Sequence, residues 1–410
     1  MATPVPAGAE PRRPALLAVL TATFFVRFAF GITVAVFASY IAGRSTGLSG
    51  GDVGTAGWVS ALAPVGEFST VLFSGAAADR WGRFPVLFGG MGGAALLFVG
   101  ISTTRAVPAL GAANLAFGVA SGAILAASLA VIADRAASDH RGYEMGRFDA
   151  MNLFGWIAGF AFGLGVEDAI PNSRLDLVFV AGAAAILCGL LVGGALARGE
   201  VVGPVPPSFD FRRIVRSAVR STVLVVTLPW LAIYSLLGTA LVFLGPAAEG
   251  IGIRPAYLAV AIAGGGALLV VSQPYFGRLA DRAGRTRMMT VGAGGFVLVL
   301  LCASLLARYG VSVPLLVGVG VGVAGALAYG PAALAALADL ALEQGRATTM
   351  AIYSLTISLG MTVGLLSSTS LYGRFGTSGL YPYFGAIAVV LVALTVARWV
   401  EARRATIPVR

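Results

Sequence analysis

The sequence predicts an all-α integral membrane protein with twelve transmembrane helices, and three observations carry this prediction. Of the 410 residues, 58% are hydrophobic and 11% are charged, and the mean hydropathy is +0.90. An average soluble domain carries about 25% charged residues. Apolar runs of about 20 residues, the length that a helix needs to cross a bilayer, recur along the whole chain. The arginines concentrate in alternate connections between these runs.

The apolar runs are separated by short polar connections, with one longer exception. The runs are residues 14–42, 55–78, 85–103, 108–133, 148–166, 175–197, 221–247, 256–277, 287–307, 313–338, 350–372 and 380–400. The longer connection, 198–220, is rich in proline and then in arginine, and it separates six runs from six. We therefore predict an N-terminal six-helix bundle at 1–197, a cytoplasmic linker at 198–220 and a C-terminal six-helix bundle at 221–410.

The arginines predict the orientation in the membrane. All 28 basic residues are arginine. With the N-terminus inside, the inner segments carry 21 arginines and the outer loops six, and the remaining one is Arg27. Inner loops of membrane proteins are enriched in arginine, so we expect a multi-pass plasma-membrane protein with cytoplasmic N- and C-termini. The net charge of +10 then requires no nucleic-acid partner.

The sequence offers little that favours an enzyme. Cys188 and Cys302 fall inside apolar runs, and His140, the single histidine, lies in a polar loop. The chain has no nucleophile–base set, no histidine-based metal cluster and no Walker-type GxxxxGK[ST] string. We therefore expect no enzymatic activity, no cofactor, no metal and no ATP hydrolysis. The expected partners are the lipid bilayer and a small-molecule substrate, and we expect the protein to function as a monomer.

The two sets of six runs contain an internal repeat. GAAADRWGRFPVLFGGMGG at 75–93 aligns with GRLADRAGRTRMMTVGAGG at 277–295 at an offset of 202, and nine of the nineteen positions are identical. A fainter match at an offset of 205 pairs Gly155 with Gly360 and Gly159 with Gly364. The halves are therefore duplicates that share one membrane orientation.

The string GxxADRxGR, present once in each half, resembles the signature of the major facilitator superfamily of secondary transporters. The resemblance covers essentially the whole chain. It implies two pseudo-symmetric six-helix bundles, a substrate site between them near the membrane midplane, and alternating access by rocking of the halves. It also implies that the motif connections latch the cytoplasmic helix ends. The motif residues are Gly75, Asp79, Arg80, Gly82, Arg83, Gly277, Asp281, Arg282, Gly284 and Arg285.

The motif residues also have a physical reading of their own. The glycines allow close helix approach and a tight turn, the aspartates suit a helix N-terminus, and the arginines can bridge to acids in neighbouring loops. The alternative is a basic turn that only sets topology. DRAASDHRGYEMG at 134–146 resembles the usual connection after the fourth helix, and DLALEQGRATTM at 339–350 is its degraded counterpart. These segments either join the latch or are solvated charge runs.

Two opposite charges lie near the centre of the first two predicted helices. Arg27 is 13 residues from the inner end of its run and Glu67 is 11 residues from the inner end of the next. At about 1.5 Å per residue, their depths agree within roughly 3 Å. Glu67 also shares a helix face with small and polar residues, namely Ser60, Ala63, Thr70 and Ser74. A charge at the bilayer centre costs about 2.5–3.5 kcal/mol, so such residues have a partner or a task.

Three interpretations of this pair stay open. In the first, Arg27 binds an anionic group of the substrate and Glu67 carries the coupling proton. In the second, the two residues form a fixed ion pair that holds two helices together. In the third, Glu67 binds a cationic substrate and Arg27 tunes the proton affinity of Glu67. A nearby arginine favours the charged form of a carboxyl group, whereas burial favours the neutral form.

Further substrate-site candidates are Asn152 and Trp156 in the fifth run, Tyr234 in the seventh and Tyr353 in the eleventh. The glycine-rich faces on which the fifth and eleventh runs present such residues can also be explained by helix packing alone. The aromatic candidates can equally face lipid or protein. Weaker candidates are Asn114, Ser121, Gln273 and Tyr329.

Departures from known patterns narrow the function. Many drug/proton antiporters carry RxxxG in the fourth helix and Gly-Pro in the fifth; here Gly118 takes the arginine position and Gly159 precedes Phe160. The last six runs have no midplane charge, which favours a monoanion or an amphiphile over a dianion. We predict a proton-coupled secondary active transporter, symporter or antiporter, of a small organic solute. The alternatives are a multidrug/proton efflux antiporter, a lipid mover and a transporter-like sensor.

Overall fold

The computed structural model describes residues 13–42, 53–135, 141–171, 174–199, 221–250, 254–309, 312–333, 336 and 346–405. His140, nearly all of the predicted linker and most of 339–350 lie outside these residues. The domain boundaries at 197 and 221 therefore stay a prediction.

The described residues are almost entirely helical, which confirms the predicted fold class. Ten of the helices are long and apolar enough to cross a membrane, and Val226–Ala240 forms a shorter apolar segment within another. In chain order the helices are α1 (Arg13–Ala42), α2 (Val53–Trp81), α3 (Arg83–Thr103), α4 (Val107–Arg135), α5 (Arg141–Ala169), α6 (Asp176–Leu196), α7 (Ser221–Gly250), α8 (Pro255–Ala283), α9 (Arg285–Tyr309), α10 (Val313–Ala326), α11 (Arg346–Phe375) and α12 (Leu380–Ala405). Beyond a turn at 327–328, α10 is followed by further helix to residue 333.

The helices pack mainly within two sets, which we call the first half (α1–α6) and the second half (α7–α12). In the first half, α1 packs against α5 and α6, and α4 packs against α2 and α3. In the second half, α7 packs against α11 and α12, and α9 packs against α10 and α12. The halves meet where α2 packs on α11 and α5 packs on α8. The candidate site lies at this junction.

The repeated motif makes the same turn in both halves. Gly82, between α2 and α3, has φ 97°, and Gly284, between α8 and α9, has φ 92°. The amide of Gly82 donates to the carbonyl oxygen of Ala78 at 3.1 Å, and that of Gly284 donates to Ala280 at 3.0 Å. Glycine adopts a positive φ without steric cost. The predicted tight turn is therefore confirmed in both copies. We call the end of the bundle that holds these turns the motif end.

The other glycines of the motif do not bring helices together. A Cβ atom built on Gly75 or on Gly277 meets nothing within 4 Å. The expectation of close helix approach at these positions is therefore wrong for this conformation, because both glycines face open space.

The second glycine match marks helix packing in both halves. A Cβ atom on Gly155 or Gly159 of α5 would collide with backbone carbonyls of α1, and one on Gly360 or Gly364 of α11 would collide with those of α7. The obstructing oxygens belong to Phe24, Phe28, Leu231 and Ser235 in turn. The glycine-rich faces of α5 and α11 are therefore packing faces, as the packing alternative predicts.

Candidate functional site

Arg27 and Glu67 meet in the middle of the first half. Nη1 of Arg27 lies 3.4 Å from Oε2 of Glu67, and the two side chains are 12% and 10% exposed. Arg27 is near the centre of α1 and Glu67 is near the centre of the antiparallel α2. The proximity predicted from their depths is therefore confirmed.

The Glu67 carboxylate also accepts hydrogen bonds from two serine hydroxyls. Ser121 of α4 donates to Oε2 at 2.6 Å, and Ser358 of α11 donates to Oε1 at 2.9 Å. The Arg27 guanidinium additionally reaches the Ser121 oxygen at 3.5 Å. Both carboxylate oxygens are thus hydrogen-bonded, as a buried charge requires. Because Ser358 belongs to the second half, Glu67 ties the two halves together through one carboxylate.

A small cavity lies beside this cluster, at the junction of the two halves. Its volume is about 40 Å³, enough for about three water molecules, since one water needs roughly 10–15 Å³ of such volume. Both halves supply lining residues: Arg27, Glu67, Asn152 and Trp156 come from the first, and Tyr234 and Ser358 come from the second. Five of the six sequence-predicted candidates therefore surround one space.

The neutral lining residues provide one unpaired acceptor and two aromatic surfaces. The buried Oδ1 atom of Asn152 has no hydrogen-bond partner among the described residues. Trp156 stacks on Phe30, with ring centroids 5.4 Å apart, and Tyr234 stacks on Trp230 at 6.2 Å. The stacking fixes the orientation of both rings at the cavity. A solute entering here meets a cation, an acceptor and aromatic walls.

At the motif end, one arginine of the first copy forms an ion pair. Nε of the buried Arg83 donates to Oδ2 of Asp134 at 3.1 Å, which links the start of α3 to the end of α4. Arg80 and Arg282 are exposed. The side chains of Asp79 and Asp281 lie outside the description. The predicted bridge from a motif arginine to an acid in the next connection is thus present in the first half, and its role in gating stays a prediction.

At the opposite end, the two halves contact each other directly. Nη2 of Arg254, just before α8, lies 2.8 Å from Oδ2 of Asp168 in α5. An apolar cluster lies on the same side and includes Ala61 of α2 together with Val242 and Leu365 of the second half. The contacts between the halves named here therefore lie at the level of Glu67 and at this end.

Comparison with known proteins identifies the family. A sequence model described as Major Facilitator Superfamily matches residues 19–269 and 231–409. The chain belongs to the major facilitator superfamily. It is therefore a multi-pass membrane transporter, and the resemblance inferred from the motif is confirmed. No curated protein sequence matches it.

Solved structures of superfamily transporters share its fold. A POT family transporter in complex with 5-aminolevulinic acid is 14% identical, with 98% of each chain covered and a TM-score of 0.78. The peptide transporter POT in complex with sulfate is 16% identical, with 98% of this chain and 96% of that chain covered and a TM-score of 0.74. The human organic anion transporter MFSD10 (TETRAN) is 16% identical, with 94% and 100% covered and a TM-score of 0.69. At these identities the likeness shows the fold alone.

The sequence identified five residues that line the cavity of this superfamily member but missed one residue that contacts Glu67. Ser121 was a weak candidate because hydroxyls are common in membrane helices, and Ser358 was not a candidate. Asn114 instead donates to the backbone oxygen of Val59 at 2.7 Å, which ties α4 to α2. The side chain of Tyr353 lies outside the description. A midplane carboxylate needs donors beyond one arginine, and this requirement could have prompted a search for serines at equal depth in other helices.

Proposed function

We propose that this protein is a secondary active transporter that couples the movement of a small organic solute to protons. In this proposal it lies in the plasma membrane with both termini cytoplasmic, and the two halves rock about the cavity to give alternating access. One observation carries the proposal: Glu67, a buried titratable group, contacts Arg27 and Ser121 in the first half and Ser358 in the second.

The position of Glu67 supports a coupling role. Its proton occupancy alters a contact inside the first half and a contact between the halves at the same time. A ligand shifts a conformational equilibrium only through a difference in its affinity for the two states. We expect the affinity of Glu67 for a proton to differ between the two conformations, because the Ser358 contact forms only when α11 packs on α2.

The position of Arg27 supports an anionic solute. It lines the cavity and is permanently charged, so an anion that enters meets an attractive partner at the membrane midplane. Two of the similar structures are described with anions, one as an organic anion transporter and the other in complex with sulfate. The cation-binding interpretation is less favourable, because a cation at Glu67 would lie beside Arg27.

A two-step measurement tests the proposal. A thermal-shift screen of the purified protein against metabolites and drugs identifies a ligand, and flux of that ligand is then measured in proteoliposomes with and without a pH gradient. We expect the gradient to drive accumulation, and Glu67→Gln to abolish this accumulation while solute exchange continues, because a side-chain amide at this position cannot bind and release a proton. A protein that binds the ligand without flux would be a sensor.

The matched control is Asp176→Asn. Asp176 is a carboxylate in the first turn of α6, and it is not among the described residues that line the cavity. This variant should accumulate solute as the unmodified protein does. Equal accumulation by Glu67→Gln and the unmodified protein would exclude Glu67 as the proton carrier.

A further inference from the structure

The charges of the cavity are balanced before any solute enters. Among the described side chains that line it, the charged or titratable groups are Arg27 of α1, Glu67 of α2 and Tyr234 of α7. The groups facing the cluster from α4, α5 and α11 are neutral, namely Ser121, Asn152 and Ser358. Arg27 and ionised Glu67 cancel, so the site carries no net charge when it is empty.

Arg27 keeps hydrogen-bonding capacity for a ligand. Among the described residues, it contacts Glu67 and Ser121 through Nη1 alone. A guanidinium has five N–H donors in a planar fork, and a carboxylate can bind two of them at once. Nη2 and Nε therefore remain for an anionic group that enters the cavity, and such a group would compete with Glu67 for the same cation.

The charge balance fixes how many protons accompany the solute. A monoanion that enters the neutral site leaves a net charge of −1, which is costly in a poorly solvated interior. One proton on Glu67 restores neutrality. Anion binding therefore raises proton affinity, and by reciprocal linkage a proton raises anion affinity. A dianion would require a second compensating charge, and the described lining of the second half supplies none.

The remaining lining residues select the body of the solute. Trp156 and Tyr234 belong to opposite halves and present aromatic rings to the cavity, which favours an apolar or aromatic body. The buried Oδ1 atom of Asn152 lacks a donor among the described residues, so a solute that carries an N–H or O–H group satisfies it at the level of the ion pair.

From these contacts we infer that the substrate is a small organic monoanion with an apolar or aromatic body and a hydrogen-bond donor, and that it crosses with one proton in an electroneutral symport. The inference rests on the proposed function and adds to it the charge of the substrate and the stoichiometry of coupling. The balance is complete: one negative charge and one proton move together, and the site returns empty and neutral.

The first test compares four related probes by thermal shift. They are 4-hydroxyphenylacetate, its neutral amide, the cation tyramine and the dianion 4-hydroxyphenylmalonate. All four carry the same phenol and differ mainly in charge. We expect stabilisation by the monoanion, at least tenfold weaker binding of the other three, and at least tenfold tighter monoanion binding at pH 6 than at pH 8. Glu67→Gln should reduce this pH effect to less than twofold, whereas Asp176→Asn should retain it. A preferred cation, neutral solute or dianion, here or in the metabolite screen, would overturn the inference.

The second test measures charge movement in proteoliposomes, with protein-free vesicles as the control for passive diffusion of the acid. A pH gradient should drive uptake, and a membrane potential set with K⁺ and valinomycin should change the rate less than twofold. A pH-sensitive dye should report one proton per anion. A severalfold effect of potential, or a ratio other than one, would contradict electroneutral symport while leaving proton-coupled transport intact. Absence of gradient-driven uptake for every ligand would instead contradict the proposed function.

Discussion

The two halves share a scaffold but differ in what they bury. Among the described residues, the largest fully buried side chains, including Phe37, Tyr40, Phe98 and Phe117, lie in the first half. Large apolar side chains point outward in both halves, among them Leu96 and Leu191 in the first and Val271 and Val389 in the second. The charged pair also belongs to the first half, whereas the second contributes neutral groups to the cavity. The halves thus share a framework but contribute different chemistry to the cavity.

The features that the halves share are backbone features. The turn glycines have nearly equal positive φ angles, and the glycines of α5 and α11 meet carbonyl oxygens of α1 and α7 at matching places. Side chains at the cavity are not shared in this way. The repeat therefore specifies how the helices approach one another, and the chemistry of the cavity is set by side chains that the halves do not share.

Removing the charge from the first half should have the largest effect. In the double variant Arg27→Leu/Glu67→Leu, we expect transport to fall at least 100-fold while the fold is retained, because replacing both members of a buried ion pair by apolar residues is often tolerated. Radiolabelled ligand flux and thermal unfolding measure the two outcomes. Retained transport would mean that the pair only joins α1 to α2.

Changing the shared glycines should affect both halves alike. Gly159→Ala and Gly364→Ala should each destabilise the protein by about 1–3 kcal/mol, because the new methyl group meets a backbone carbonyl that cannot rotate away. Thermal unfolding in detergent measures the change.

The controls for the glycine variants are Gly165→Ala in the first half and Gly373→Ala in the second. At both positions a Cβ atom meets nothing within 4 Å, so each variant should stay within about 1 kcal/mol of the unmodified protein. A marked difference between Gly159→Ala and Gly364→Ala would show that the halves do not tolerate helix separation equally.

Variants of the two serines that contact Glu67 distinguish the contact within the first half from the contact between the halves, because Ser121 lies in the first half and Ser358 in the second. Ser358→Ala should lower transport at least tenfold, since a hydrogen bond to a charged group contributes about 1.5–3 kcal/mol. It should also make cysteines placed at the α2–α11 contact more reactive. Ser121→Ala should lower transport without this change in reactivity. Ser368→Ala is the control, because the buried Ser368 donates to the carbonyl oxygen of Gly364 in its own helix. Equal cysteine reactivity in all three variants would remove Ser358 from the contact between the halves.

The ion pair at the end opposite the motif should matter least. The Arg254 side chain is 65% exposed, and exposed ion pairs contribute about 0–1 kcal/mol. Asp168→Asn should therefore change transport less than about twofold, and the effect should disappear at high salt. A loss of more than tenfold would identify this pair as an essential gate.

Much of the fold could be predicted because the membrane imposes strong rules. Length and hydropathy indicated the helices, and the repeated motif indicated the turns at Gly82 and Gly284. Gly75 and Gly277 show the limit of the motif. Both belong to the motif but face open space. The sequence does not distinguish a glycine that is required for a positive φ angle from one that is not.

The charged residues of the site could be predicted from the sequence, because charges are scarce in membrane helices. The serine of α11 could not, because hydroxyl groups are common in membrane helices. Arg27 and Glu67 stood out because few charges lie so deep. Ser358 did not stand out, because the sequence does not distinguish it from Thr362 and Ser368 on the same helix. Those two hydroxyls donate to backbone carbonyl oxygens of their own helix. Ser358 also lies about 200° around α11 from Gly360, so attention to the glycine face led away from it.

The small size of the cavity bears on every affinity that will be measured for this transporter. About 40 Å³ is space for about three water molecules, so we expect the junction of the halves to widen when an organic solute binds. When only a fraction of molecules is competent, the apparent dissociation constant equals the intrinsic constant divided by that fraction. A variant that loosens the junction of the halves would therefore show a lower apparent dissociation constant without gaining a single contact to the substrate.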